Sequence, residues 1–276
     1  MHFFTVIKRV SNINTHMRRI YSLSDQGLAD APEQGSEAWL AGRVGRITGS
    51  KPSDLYFNFK EPSDWDNLLG KWFGDHREEF DDVAKSRMAW GSKHEDTAVD
   101  VIVDHIPNAH FFECPMIPID DVYAASPDGA VIVLNQPRTK EEVLATPSLT
   151  KDDVAWHANV EIKCPGGGIG KTPEEMAAMV RKKWNIPAPY YMFQIHQEMA
   201  AQKVLETLFV VWTPLLTRMW RIPFNASFWN QCLEVLENFR KKEVPFEVMM
   251  AKVQALKKRC WGVANHPIWK EIETSI

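Results

Sequence analysis

The chain has 276 residues, a formal net charge of −4 and 45% apolar residues, enough for one large folded domain or two small ones. That charge does not advertise a nucleic-acid binder, so binding to phosphate would need a local basic surface. The four cysteines form no CxxC pair, which argues against a zinc site or a disulfide framework and fits a reducing compartment, and no apolar run is long enough to span a membrane.

The first 30 residues read as a flexible basic arm. Met1 to Arg19 holds no acidic residue, and turn formers follow from Ser22 to Gly35. The arm lacks the apolar core of a signal peptide, and Met17 is a candidate natural start. Residues 31–276 read as a single domain. Ser36 is placed to cap a short helix through Trp39 to about Arg43, ending near Gly45, with Trp39 and Arg43 on one face. Ser50 and Pro52 resemble a second helix start, the kind of end that attracts phosphate. A helical pattern runs from about Phe80 to His105. In it Glu95, Val99, Ile102 and Ile106 place one carboxylate on an otherwise apolar stripe, a costly position unless the carboxylate is paired, metal-bound or at the wet end of the helix.

Residues 111–119, 122–134 and 158–163 read as strands, the second interrupted by Pro127-Asp128-Gly129. Residues 135–157 are polar and read as a surface insertion, with a short helix at Lys140–Ala145. Gly166 to Thr172 is glycine-rich but lacks the spacing of a phosphate loop and reads as a flexible loop. Pro189 opens a helix from Tyr190 to about Glu206, on which Tyr190, Tyr191 and Gln194 can cluster. Leu208–Thr213 and Arg218–Phe224 form an expected hairpin. Amphipathic helices follow at Phe228–Lys242 and Phe246–Arg259, their apolar faces suited to core more than to a subunit contact. Of three basic clusters, Arg18-Arg19, Arg181-Lys182-Lys183-Trp184 and Lys257-Lys258-Arg259, the second lies nearest the chemical motifs.

The chemistry centres on Ser126-Pro127-Asp128-Gly129 and Glu161-Ile162-Lys163-Cys164-Pro165. Alternation along a strand turns Glu161 and Lys163 to the same face. Asp128 and Glu161 are hard oxygen donors suited to Mg²⁺, and Lys163 can orient or deprotonate a water or neutralise phosphate charge. Asp…Glu-x-Lys thus reads as the metal site of a phosphodiesterase, against the plainer reading of a surface salt bridge on an edge strand.

Five motifs stand in a fixed order: Trp39-x-x-x-Arg43-x-x-x-Ile47-Thr48-x-Ser50, Ala89-Trp90-Gly91-x-x-x-Glu95, Ser126-Pro127-Asp128-Gly129, Glu161-Ile162-Lys163-Cys164-Pro165 and Tyr191-Met192-x-Gln194. Over residues 36 to 200 or so this set resembles the phage lambda exonuclease family, the viral-recombinase or alkaline exonuclease group of PD-(D/E)-x-K nucleases. The resemblance implies an α/β fold with a restriction-endonuclease-like core, a central mixed β-sheet flanked by helices. It implies a Mg²⁺-dependent (Mn²⁺ substituting), processive 5′→3′ exonuclease that leaves 3′ single-stranded overhangs on linear double-stranded DNA for annealing recombination. It further implies a ring-shaped homotrimer, a phage-type single-strand annealing protein as partner, and work in the cytoplasm of a bacterial or phage-infected cell.

Carried onto this chain, the resemblance makes Asp128, Glu161 and the Ile162 carbonyl metal ligands. Glu95 acts directly or through water. Lys163 holds the attacking water, and Gln194 and Tyr191 brace the site and the terminal nucleotide. Arg43 grips the 5′-phosphate with Thr48, Ser50 and Ser126 beside it; Trp39 shares the face of Arg43, and Met88 is a candidate wedge at the end base pair. Two features depart from the pattern: 32 residues lie between Asp128 and Glu161 (161 − 128 − 1), and His196 stands where an amide is usual, either to bind phosphate when protonated or as a packed helix residue. The alternatives are a structure- or sequence-selective endonuclease on the same core and a catalytically silent DNA-binding or annealing-partner module.

Overall fold

The computed structural model describes residues 35–74, 81–146, 149–166 and 169–274. The basic arm, Met17 and Arg18-Arg19 lie outside the described residues.

A six-stranded mixed sheet carries the molecule, in the order β2 (Ala109–Glu113), β5 (Gly129–Leu134), β6 (Val154–Lys163), β7 (Glu206–Thr213), β8 (Leu216–Pro223) and β9 (Lys270–Glu273). Among the described residues of this sheet, β6 and β7 pair parallel and the other four pairings are antiparallel. A parallel neighbour needs a crossover, and here it holds α6 (Pro173–Lys183) and α7 (Tyr191–Gln202). A smaller sheet orders β1 (Ile47–Thr48), β4 (Tyr123–Ala125) and β3 (Ile117–Pro118).

Helices cover both faces of the large sheet. On one side α4 (Asp82–His105) lays Ala98, Val101 and Ile102 against Val160, Ile162, Leu208 and Val210. On the other, α7 packs with α8 (Ala226–Lys241), α9 (Phe246–Ala264), α2 (Ser53–Asn58) and α3 (Pro62–Phe73) around Trp72, Trp220 and Phe239, while α1 (Glu37–Arg43) buries no residue. The eleven tryptophans of the chain thus serve packing in part. The expected mixed sheet between helices is present, and the faces of α8 and α9 do form core.

The expected elements and the observed ones differ at several places. The 111–119 and 122–134 runs each split between the two sheets: β2 and β5 join the large sheet, β3 and β4 the small one. The insertion ends earlier than its polarity suggests, because Trp156 and His157 already pair with Val133 and Ile132 in the β5–β6 ladder. Its short helix, α5 (Lys140–Ala145), is present, capped by Thr139, and Val143 and Leu149 are buried. The helix opened by Pro189 stops at Gln202 because Lys203 turns left-handed (φ 61°), and Glu206 begins a strand instead. Ser50 starts no helix; α2 begins at Ser53 and has no side-chain cap. The expected flexible loop over 166–172 falls partly outside the described residues; α6 begins after Thr172, closed by a capping box between Thr172 and Glu175 with Pro173 in the first turn.

Candidate active site

Three elements converge at the carboxyl end of β6. Alternation turns Asn159, Glu161 and Lys163 towards α7, while Ala158, Val160 and Ile162 face α4. Gln194 on α7 donates to Glu161 Oε1 at 2.7 Å, and the Lys163 ammonium ion-pairs with the same oxygen. Glu161 is fully buried, and its second oxygen, Oε2, has no partner. Lys163 also lies 5.0 Å over the Tyr191 ring.

Asp128 arrives from the turn between β4 and β5, where its Oδ2 accepts the Ile162 backbone N–H at 2.7 Å. Gly129 behind it is required by close approach: a Cβ there would lie 2.3 Å from the Phe111 ring and 2.7 Å from the Phe112 carbonyl of β2. The long spacer to Glu161 does not disturb this arrangement. Gly129 pairs with Val160 and Leu134 with Val154, so the extra residues leave the ladder at its far end, away from Asp128 and Glu161.

A cavity of about 210 Å³ opens on these groups, lined by Asp128, Glu161, Lys163, Gln194 and Glu198, with Gly49, Ser50, Ser126, Trp39 and Arg43 on its other wall. Arg43, in the last turn of α1, donates to Thr48 Oγ1 at 2.9 Å and to Ser126 Oγ at 3.3 Å. Its guanidinium carbon stands 4.1 Å over the Trp39 ring, one turn back, on a helix capped by Ser36. Burial lowers Arg43 to about 10, so it stays a cation at neutral pH. Gly49 admits the helix closely: a Cβ there would sit 3.1 Å from Gln194 Cγ and 3.6 Å from Glu198 Oε1.

Charge is concentrated here. Burial, then Glu161, push Asp128 well above the usual carboxylate range, and the same causes raise Glu95. Burial alone would lower Lys163, but Glu161, Tyr191 and Asp128 outweigh it and hold the ammonium well above the ordinary lysine value. Lys163 is therefore a cation here and not a free base.

The structure brings Asp128, Glu161, Lys163, Gln194, Arg43, Ser50, Ser126 and Trp39 around one cavity, with Thr48 and Tyr191 in contact with its cations. Glu95 is half-buried on α4 at the margin, within electrostatic reach of Glu161 but off the cavity wall. Behind it, His94 stacks on Trp212 at 5.0 Å and meets a tilted Trp90 ring at 4.2 Å, which fixes this part of α4 on β7. Met88 is 54% exposed and off the wall.

Glu198 is the acidic wall residue that the sequence motifs miss. It is 1% exposed, accepts from Asn159 Nδ2 at 3.0 Å, and is pushed well above the carboxylate range by burial, then by Glu161 and Asp128. Its signal lies in spacing, since it follows Gln194 by four residues and Tyr191 by seven, on the same helix face. Asn159 also donates to Thr207 and accepts from Gln202, knitting β6, β7 and α7 beneath the cavity. His196 is a packed residue. It is fully buried; its Nε2 accepts the Asn225 N–H at 3.2 Å, which leaves Nδ1 to donate to the Met192 carbonyl at 2.7 Å.

The donor chemistry fits a hard divalent cation. Asp128, Glu95 and Glu198, raised by burial and then by Glu161, stand beside an unpartnered Glu161 oxygen, the environment that such a cation relieves. Among the described residues, no three His, Cys, Asp or Glu side chains are already gathered as a metal site, and Lys163 holds the oxygen of Glu161 that Gln194 also contacts.

Among solved structures, the chain is similar to an alkaline exonuclease. That protein is LHK-Exo from Laribacter hongkongensis: 20% identity, TM-score 0.49, covering 83% of this chain and 100% of that one. The structure of LHK-Exo in complex with dAMP matches at 19% identity and a TM-score of 0.47, with the same coverage. No protein-family model matches the chain, and no curated protein sequence matches it.

Proposed function

We propose that the chain is a nuclease of the phage lambda exonuclease group, with a restriction-endonuclease-like core, that degrades one strand of linear double-stranded DNA from its 5′ end. The observation that carries the reading is the shared cavity. A guanidinium held by two hydroxyl residues faces an acidic cluster that contains a cationic lysine. A planar fork flanked by hydroxyls suits a terminal phosphate, and the acidic wall suits hydrolysis one nucleotide further in.

Asp128 and Glu161 would hold Mg²⁺ (or Mn²⁺) with the Ile162 carbonyl, and Glu95 through water. The ion, when bound, would supply Lewis acidity at the scissile phosphate and acidify a water. The protein's own groups supply the rest. Arg43, Thr48, Ser50 and Ser126 hold the 5′-phosphate and set the register. Lys163, already an ammonium, orients the attacking water and offsets charge on the phosphate. Gln194 and Tyr191 keep Glu161 and Lys163 in place. Release of a 5′-nucleotide leaves a 3′ overhang, the substrate of a single-strand annealing protein. A ring of three copies threading the duplex in the cytoplasm completes the proposal.

Covalently closed circular duplex tests the reading against an endonuclease. Linear duplex with Mg²⁺ is expected to lose nucleotides while the circle survives; nicking or linearising of the circle at a comparable rate would overturn the exonuclease assignment.

A further inference from the structure

A string of aromatic rings leads away from the site. The Lys163 ammonium lies over Tyr191, whose ring centroid is 4.4 Å from that of Tyr190. Tyr190 meets Phe57 at 4.9 Å and Tyr56 at 6.2 Å, and Tyr56 and Phe57 meet at 5.1 Å. Burial raises the Tyr56 hydroxyl, and the Trp261 indole beside it works against that rise. The rings thus come from α2, the start of α7 and the last turns of α9, three elements remote in sequence.

The outer end of the string is open to solvent: Phe57 is 45% exposed and Trp261 55%. Isolated exposed rings are ordinary on a protein surface, but these belong to one contiguous set that begins at the catalytic lysine. Its rim is basic. Lys257 lies 5.5 Å over the Tyr56 ring, and exposed Lys60 is close enough to lower Lys257 by like-charge repulsion, after the effect of burial.

Faces of aromatic rings flanked by ammonium groups suit one ligand chemistry. Bases stack on the rings whatever their identity, and the cations track the phosphates. Stacking requires bases free of a paired neighbour on one face, so the fit is to a single strand and not to intact duplex. Continuity with Tyr191 and Lys163 sets the position, since a strand lying on this patch meets the cavity at its inner end. We propose that Tyr56, Phe57, Tyr190 and Trp261, with Lys60 and Lys257, form a platform for single-stranded DNA next to the cleavage site. The proposal rests on the nuclease reading for its role, whereas the binding itself can be measured independently.

The test uses the whole chain, in EDTA so that no strand is cut, and follows the anisotropy of a fluorescently labelled 20-nucleotide oligothymidylate. Phe57→Ala and Trp261→Ala are each expected to weaken binding about tenfold, the scale of one lost stacking partner. Trp261→Phe, which keeps a ring, is expected to retain most of the affinity. Lys257→Glu is expected to weaken binding and flatten its salt dependence. These side chains are exposed or at the rim, and far-UV circular dichroism confirms folding. Unchanged affinity in both alanine variants would overturn the proposal. So would a drop in oligomeric mass on gel filtration in these variants without a change in affinity, because a second copy would then be the occupant. If the wild type binds the oligonucleotide through these residues but never cleaves DNA, the nuclease reading fails and the platform stands. If it cleaves and the variants bind normally, the platform alone fails.

Discussion

Arg43 and Ser126 are 83 residues apart in sequence, yet they form one side of the cavity. Their pairing explains why a guanidinium is buried enough to be lowered to about 10: hydroxyl oxygens solvate it without neutralising it, so it keeps its charge for an anion. Arg43→Ala is predicted to remove the preference for 5′-phosphorylated over 5′-hydroxyl ends. The size expected is that of a lost charged hydrogen-bond pair, about ten- to a hundredfold in kcat/KM on phosphorylated ends, with little change on hydroxyl ends.

His196 allows a prediction with a definite sign. Burial lowers it to about 4, whereas an unfolded histidine titrates near 6.5. Between these values the unfolded chain binds the proton and the native one does not, so stability rises with pH across this window. The contribution is fully present above about 6.5 and is lost as pH falls towards about 4. His196→Gln is predicted to flatten this acid limb relative to wild type in melting temperatures taken from pH 4 to 7. An unchanged slope would show that the ring is not buried neutral. At this scale most of the site was legible, because Asp128, Glu161, Lys163, Gln194 and Arg43 sit in motifs with fixed short spacings. Glu198 and Asn159 were not, because burial of a carboxylate beside other carboxylates is a tertiary fact. Lys203 also lay beyond composition, since its left-handed turn has no glycine to announce it.

At the scale of elements, Gln197 is the joint between α7 and the small sheet. Its side-chain amide donates to the carbonyls of Ile47 and Ala124 at 2.7 and 2.8 Å, next to Thr48 and close to Ser126. Gln197→Ala leaves both carbonyls short of a donor and opens a void, and is predicted to cost about 2–4 kcal/mol in chemical denaturation. It should also blur discrimination of the 5′-phosphate, since Thr48 and Ser126 lose a common anchor. The hairpin of β7 and β8, α1, α4, α8 and α9 were readable from periodicity. The small sheet was not, because strands of two and three residues carry too little pattern. The same brevity hid the division of the 111–119 and 122–134 runs between two sheets. α6 is announced only by its capping box and Pro173, signals that the glycine-rich segment directly before it masks.

At the scale of the whole molecule, the site stands at one end of the sheet and the insertion at the other. That separation follows from the antiparallel register of β5 and β6, in which every added residue falls beyond Leu134 and Val154. Replacing 136–152 by a short turn is predicted to lower the melting temperature, because Val143 and Leu149 lose their burial. It is also predicted to leave kcat on linear duplex intact. Loss of hydrolysis by a folded variant would place the insertion in the DNA path. Among the described residues no helix is long and apolar enough to cross a membrane.

The cavity between Lys163, Glu161, Asp128 and Arg43 is proposed to hydrolyse DNA at its ends. Release of mononucleotides from 5′-phosphorylated linear duplex with Mg²⁺ tests it most directly, with wild type beside Lys163→Ala and Asp128→Ala, all checked for folding. Steady release is expected from the wild type, none without the cation, and a loss of several orders of magnitude in both folded variants. Full activity in either variant, or release that does not depend on the cation, would contradict it.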